Sequence, residues 1–127
     1  MAVVTGTVAN IHTLEGTAWS GHAIAEVCFN VSGTYAQADN GILSGVPTLI
    51  QNSRRNGKTV TMRGVMPGRP AIRDDTGAEL PLKTVAISTN DVTYEITTDW
   101  STEFTNSTAI PAHTTRPFSI FVLFTEA

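Results

Sequence analysis

Residues 118–124 have the sequence FSIFVLF, an apolar run that only Ser119 interrupts. Because successive side chains of a β-strand point to opposite faces of a sheet, a strand built from this run is apolar on both faces. Such a strand is typical of the centre of a sheet, or of a sheet that a partner covers. The run is also far shorter than the roughly 20 apolar residues that cross a bilayer as a helix, so we expect no membrane partner.

Residues 23–31, AIAEVCFNV, alternate in the pattern of a half-buried strand. Apolar side chains occupy the odd-numbered positions, while Glu26 and Asn30 lie on the opposite face. Cys28 stands between two apolar residues and is predicted to be a buried small hydrophobe. Because it is the single cysteine, it has no partner for an internal disulfide, which is typical of chains that fold in a reducing cytoplasm.

A hairpin is predicted where residues 84–89 and 92–97 flank Asn90 and Asp91. Both turn residues tolerate the left-handed conformation that a tight two-residue turn requires. Shorter strand patterns occur at residues 3–8, which Gly6 interrupts, at 11–14 after a turn, and at 59–63.

One segment has helical periodicity, with side chains recurring at i, i+3, i+4 and i+7, namely Val46, Leu49, Ile50 and Ser53. Pro47 suits the first turn of such a helix. Arg54 and Arg55 fall in the last turn, where the helix dipole favours cations. Asn56 and Gly57 then provide a left-handed stop. The rival reading, a hairpin turning at Asn56-Gly57, would mix polar and apolar side chains on one face.

Two stretches lack strand or helix patterns. Residues 64–81 contain three prolines and three glycines and are predicted to form a long exposed loop. Residues 99–117 contain Trp100 and Phe104 among many small polar side chains. A loop this long in a small domain is usually functional or contacts a partner.

The composition indicates one β-rich domain over residues 1–127. The chain is 41% hydrophobic and only 15% charged, and its twenty threonines supply much of the polar surface. Threonine, glycine and serine together favour strands and turns. We therefore expect an all-β sandwich or barrel of about seven to eight short strands with one short helix. The net charge of -3 argues against a dedicated partner among nucleic acids or anionic membranes.

The sequence contains no catalytic or cofactor motif, so we expect no enzyme activity, cofactor or metal. His12, His22 and His113 have no ligand-like spacing to one another or to Cys28. Residues 64–68 are glycine-rich but lack the lysine and hydroxyl of a phosphate-binding loop. The first ten residues have no cationic start, apolar core or cleavage site of a signal peptide.

Residues 29–63, FNVSGTYAQADNGILSGVPTLIQNSRRNGKTVTMR, and residues 116–120, RPFSI, resemble small virion structural proteins of tailed bacteriophages, in particular capsid decoration, or cement, proteins. The resemblance implies a β-rich domain that is made in the host bacterial cytoplasm and added to the assembled shell. It also implies a place on the capsid surface of the virion, the major capsid protein lattice as partner, and a homo-oligomer such as a trimer.

Four residues are predicted to contact that partner: Trp100 and Phe104 in the loop 99–117, and the cations Arg54 and Arg55. Buried aromatic side chains are typical anchors of protein interfaces. Alternatively, the two arginines cap the helix and have a purely structural role. They could also bind phosphate or an acidic protein surface.

Two other functions remain open. A tail or fibre module could bind carbohydrate through Trp19, Tyr35 and Trp100, because aromatic rings stack on sugars. A small β-fold hydrolase could use paired carboxylates such as Glu95 and Glu103.

Overall fold

A computed structural model describes residues 4–14, 22–37 and 40–127. The elements in chain order are Val4–Leu14 (β1), His22–Val31 (β2), Gly41–Leu43 (β3), Val46–Arg54 (α1), Val60–Pro67 (β4), Ala71–Ile72 (β5), Glu79–Leu80 (β6), Leu82–Ile87 (β7), Val92–Ile96 (β8) and Phe118–Glu126 (β9). The described chain is therefore all-β with one short helix, which confirms the predicted fold class.

Seven of these strands form one sheet in the order β4-β9-β2-β1-β3-β8-β7, and β5 pairs with β6 in a separate hairpin. All neighbours are antiparallel except β1 and β3, which run parallel. The sheet curls until its two end strands meet, because Cα atoms of β4 and β7 approach within 8 Å. No hydrogen-bond ladder joins these two strands among the described residues. The result is a barrel with one open seam.

The apolar run at residues 118–124 lies in β9, between β4 and β2, so the prediction of a central strand is confirmed. Its even-numbered side chains from Phe118 to Phe124 face the barrel interior and are all fully buried. On β2 the inner face carries Val27 and Phe29, which pair with Ile120 and Phe118. The odd-numbered side chains of residues 25–31 are therefore in the core, as the alternation predicted.

Aromatic rings fill the middle of the barrel around Phe29. The Phe29 ring centroid lies 5.2 Å from that of Tyr94 and 5.8 Å from that of Phe118. Gly6 of β1 lies directly beside this ring, since a Cβ added at Gly6 would lie 2.8 Å from Phe29 Cδ2. Phe29 thus links β2 to β8, β9 and β1.

A second close approach occurs where β3 pairs with β8. Gly41 is the register partner of Tyr94, and a Cβ added at Gly41 would collide with the buried Tyr94 ring. The absence of a side chain at Gly41 is what lets this ring lie across the strand.

The structure corrects two of the predicted segments. Residues 4–14 form one continuous strand with a bulge between Val8 and Asn10, where the sequence predicted two strands separated by a turn. Residues 64–81 do not form a long exposed loop, because β4 continues to Pro67 and the β5–β6 hairpin buries Ala71 and Leu80. Pro67 is tolerated because β4 is an end strand of the sheet.

The predicted hairpin of β7 and β8 exists, but its turn is longer than predicted. Ile87 pairs with Val92, so residues 88–91 form a four-residue connection. The Ser88 N–H donates to the Asp91 carbonyl at 2.9 Å, and the Asp91 N–H donates to Ser88 Oγ at 3.1 Å. Neither Asn90 nor Asp91 is left-handed, because this longer connection does not require it.

The predicted helix is confirmed as α1. Pro47 lies in its first turn, and Val46 and Ile50 face the core. The helix ends one residue earlier than predicted, since Arg55 is the left-handed cap (φ 53°) and its N–H donates to the Gln51 carbonyl. Gly57 is also left-handed (φ 74°), while Asn56 is not.

We expect Ile120→Ala to lower the free energy of unfolding by about 2–5 kcal/mol, because it leaves a cavity in the fully buried inner face of β9. The matched control is Ile87→Ala, whose side chain is 42% exposed and should cost less than about 1 kcal/mol. Urea unfolding of both variants measures the difference. A cost below about 1 kcal/mol for Ile120→Ala would contradict its place in the core.

We expect Gly41→Ala to destabilise the chain by about 1–3 kcal/mol, because the new methyl group overlaps the Tyr94 ring. Gly64→Ala is the control, since a Cβ there meets only Leu123 Cβ at 3.9 Å, an ordinary contact. Thermal denaturation followed by circular dichroism compares the two. Equal melting temperatures would show that Tyr94 moves aside without cost.

Candidate interaction surface

Trp100 lies at the tip of a short hairpin that continues from β8. The Phe104 N–H donates to the Ile96 carbonyl at 2.7 Å, and the Thr98 N–H donates to the Thr102 carbonyl at 2.9 Å. The chain therefore reverses over residues 99–101. This part of the stretch 99–117 is an ordered turn, which corrects the prediction that the whole stretch is irregular.

The carboxylate of Asp99 organises this turn. It accepts hydrogen bonds from the backbone N–H groups of Thr102 at 2.7 Å and Ser101 at 3.2 Å. These backbone donors hold the pKa of Asp99 below its usual range. On the other side of the tip, the backbone N–H of Trp100 donates to Thr97 Oγ1 at 3.2 Å.

The backbone of Trp100 is left-handed, with φ at 74°, which is uncommon for a bulky residue. A non-glycine residue in this region costs on the order of 1–3 kcal/mol and persists only where its surroundings enforce it. The hydrogen bonds of Asp99 and Thr97 do so here. The indole is 56% exposed, so a rigid turn presents a large aromatic side chain to solvent.

Phe104, the second predicted contact residue, is placed differently. Its side chain is only 6% exposed, and its ring meets the edge of the Tyr35 ring at 6.0 Å with an interplanar angle of 88°. Phe104 is therefore a core residue at the base of the hairpin and is not available to a partner. The sequence could not separate the two aromatics, because the turn that divides them depends on local hydrogen bonds.

Tyr35 is fully buried, so it is not part of an exposed sugar-stacking surface. Its hydroxyl donates to Glu103 Oε2 at 2.7 Å and accepts from the Ile96 N–H at 3.3 Å. Burial and the bond to Glu103 raise the pKa of Tyr35. Trp19, the third aromatic of the predicted carbohydrate site, lies outside the described residues.

The two carboxylates considered for hydrolysis each have a partner within the fold. Glu103 accepts the hydroxyl hydrogen bond of Tyr35, and Glu95 lies 4.0 Å from Lys83 Nζ. Through this hydrogen bond, Glu103 connects the Trp100 hairpin with the buried Tyr35 side chain.

Arg54 anchors the end of α1 to β9. Its Nε donates to Glu126 Oε2 at 2.7 Å, and its guanidinium lies 5.6 Å from the centroid of the Phe124 ring. The side chains of Arg54 and Glu126 are 16% and 13% exposed. Asn56 Nδ2 donates to the same carboxylate oxygen at 2.8 Å. Arg54 therefore links the end of α1 to β9, whereas the cap position that the sequence offered as the alternative reading for the two arginines is filled by Arg55.

Arg55 is exposed and lines a cleft of about 550 Å³ together with Lys58 and Thr59. This cleft lies beside the C-terminal end of α1. Because Phe104 is buried and Arg54 is paired with Glu126, the four predicted contact residues do not form one exposed surface.

An apolar groove that the sequence did not predict lies on the outer face of β2, β9 and β4. It has a volume of about 230 Å³ and is lined by Ile24, Gly64, Val65, Met66, Phe121 and Leu123. Met66 is 59% exposed. The second apolar face of residues 118–124 indicated an apolar outer surface. The groove itself was not predictable because residues 64–67, which belong to β4, were assigned to a loop.

In comparisons with known proteins, no protein-family model, no curated protein and no solved structure matches this chain. Within the described ranges, no helix has the length and apolar character needed to span a membrane.

The Arg54–Glu126 pair gives the stability a specific pH dependence. Arg54, Asn56 and Lys58 lower the pKa of Glu126 in the folded chain. A lowered carboxyl pKa stabilises the fold above the usual value of about 4.3, and this contribution is lost as the pH falls through the folded-state pKa.

We expect Glu126→Gln to lower the free energy of unfolding by about 1 kcal/mol at neutral pH, since it weakens a charged hydrogen bond. The difference from the wild type should disappear at acid pH, where Glu126 is protonated. Denaturant unfolding over a pH series measures it. Asp75→Asn, which disrupts the exposed Arg73–Asp75 pair, should leave the midpoint unchanged. A difference that persists at acid pH would contradict the charge-based explanation.

Proposed function

We propose that this chain is a capsid decoration, or cement, protein of a tailed bacteriophage, a non-enzymatic virion protein that binds and stabilises the assembled head. The observation that carries the proposal is the exposed Trp100, which an ordered turn holds away from the barrel. An exposed aromatic of this kind is suited to fill a pocket on a protein partner.

The rigidity of the turn favours binding. A flexible loop loses conformational entropy when a partner orders it, whereas a turn that is already hydrogen-bonded loses little. The cost of the left-handed backbone at Trp100 is met within the folded chain and does not weaken association. The barrel thus acts as a frame for one contact residue.

The repetitive nature of a capsid supports a function based on one small contact. The proposed partner is the lattice of the major capsid protein, reached on the virion surface after synthesis in the host cytoplasm. A homo-oligomer, for example a trimer, would present several copies of Trp100. Linked weak contacts add up to tight attachment when their spacing matches that of the lattice.

The resemblance to phage virion proteins supports the same assignment. Its longer segment, residues 29–63, runs from the end of β2 through β3 and α1 into β4, and its shorter segment, residues 116–120, begins β9. Both segments belong to the barrel frame. Of the two exposed residues predicted to contact the partner, Arg55 lies within the longer segment and Trp100 lies outside both.

Carbohydrate binding on a tail or fibre is the weaker proposal. Of its three predicted aromatics, Tyr35 is buried and Trp100 is exposed. Among the described residues of this set, Trp100 alone offers an exposed ring, and one ring on a narrow turn has little area for a sugar, so the test below includes glycans as a separate probe.

We expect Trp100→Ala to leave the barrel folded and to weaken attachment to phage particles by about 2 kcal/mol or more, roughly thirtyfold, as for an aromatic hot spot. The measurement is a pull-down of purified chain on particles stripped of this protein, with circular dichroism as the check on folding. Met66→Ala removes another exposed apolar side chain and is the matched control.

Unchanged attachment of Trp100→Ala would remove the turn from the interface. Attachment lost in Met66→Ala but kept in Trp100→Ala would move the contact to the outer groove. Absence of binding to particles, together with Trp100-dependent binding on a glycan array, would replace the head assignment with the carbohydrate-binding one.

A further inference from the structure

Three side chains that bind metals meet on the outer face of β1 and β2. The register pairs His12 directly with Glu26, and Cys28 follows two residues later on the same face of β2. One ligand atom from each residue, an imidazole nitrogen, a carboxylate oxygen and Sγ, lies within 4.8 Å of the other two. His12 is exposed, whereas Glu26 and Cys28 are 9% and 4% exposed.

We propose that His12, Glu26 and Cys28 bind one Zn²⁺ ion. Zinc takes nitrogen, oxygen and thiolate ligands at roughly 2.0–2.3 Å in tetrahedral geometry, which places neighbouring ligand atoms about 3.5 Å apart. The present separations are at most 4.8 Å, so small side-chain rotations, mainly of the exposed imidazole, bring the three atoms to this spacing. The fourth position is left for water or for a group of a partner.

Arg69 occupies the side of the cluster that a metal ion would approach. Its Nε and Nη2 donate to the two carboxylate oxygens of Glu26, each at 3.0 Å, and Nη2 lies 4.0 Å from Cys28 Sγ. The guanidinium thus neutralises Glu26 in the chain without metal. Zinc and the guanidinium compete for the same oxygens.

Arg69 can leave without disturbing the fold. Its side chain is 54% exposed, so it can turn into solvent when the metal binds. Its backbone is held separately, because the Arg69 N–H donates to Ser119 Oγ at 2.7 Å. The competing side chain thus has solvent to turn into, while a separate backbone hydrogen bond holds the segment that carries it.

Proton release accompanies binding. Cys28 ligates zinc as a thiolate, so its thiol proton has to leave. When the Zn–S bond forms, this proton passes to solvent, while the ligating nitrogen of His12 coordinates in its neutral form. The bound ion links β1 to β2 beside the bulge between Val8 and Asn10.

Titration of the full, reduced chain with Zn²⁺ tests the site, and Co²⁺ serves as a spectroscopic probe. We expect one Zn²⁺ per chain, and with Co²⁺ a thiolate-to-metal charge-transfer band together with the visible bands of tetrahedral coordination. Cys28→Ser should abolish the charge-transfer band. His12→Asn should weaken zinc binding about tenfold or more. Arg69→Gln should strengthen it, because the competing cation is gone.

His22→Asn is the matched control, since His22 lies on the same face of β2 but outside the cluster. It should leave the zinc affinity unchanged. His12→Asn alters only an exposed side chain and keeps the test valid if Cys28→Ser fails to fold, which circular dichroism detects. The proposal is overturned if Co²⁺ gives no thiolate band, or if zinc binds His12→Asn as tightly as the wild type.

Discussion

The packing of the Phe29 ring against Tyr94 and Phe118 is the interaction on which the barrel depends. These three rings come from β2, β8 and β9, strands that lie on both sides of β1 in the sheet order. Paired aromatic rings contribute on the order of 0.5–1.5 kcal/mol beyond their buried area. The cluster therefore ties the two arms of the curled sheet together across the interior, where hydrogen bonds between neighbouring strands cannot reach.

Residues 68 and 69 partly cover the outer face of β2 and β9, and both bond to Ser119 of β9. The Gly68 N–H donates to the Ser119 carbonyl at 2.9 Å, and the Ser119 hydroxyl accepts from the Arg69 N–H. A Cβ at Gly68 would collide with Ser119, so glycine is required for this crossing. The chain after β4 therefore passes over β9, which shields Glu26 and Cys28 and brings Arg69 to the Glu26 carboxylate.

The elements that were predictable from the sequence are those whose signal is local. The two apolar faces of residues 118–124, the alternation of residues 23–31 and the helical period after Gly45 each depend on neighbouring residues alone. The β5–β6 hairpin was not predicted because its strands are only two residues long, and the prolines and glycines around them indicate turns but not the short strands between the turns. His113 shows the same limit, because its burial depends on accepting the Val31 N–H at 3.0 Å and on packing against the Phe118 ring.

The candidate sites were less predictable for the same reason. His12 and Cys28 lie on different strands, and only the register of β1 against β2, with its bulge after Val8, brings them together. Trp100 was identified from the sequence, but its separation from Phe104 follows from a turn that Asp99 organises. Residue type indicated which side chains could act, and pairing between distant strands determined which of them meet.

The open seam has a consequence for self-association. Free strand edges are templates on which another chain can add a strand, and here the free edges of β4 and β7 face each other across a cleft lined by Val65, Thr84, Ala86 and Ile87. An inserted strand would need about 9.6 Å between its two neighbours, twice the usual strand spacing, but the Cα atoms of β4 and β7 approach within 8 Å. Where β4 and β7 approach this closely, the seam has no room for an inserted strand, so the two edges shield each other from strand addition.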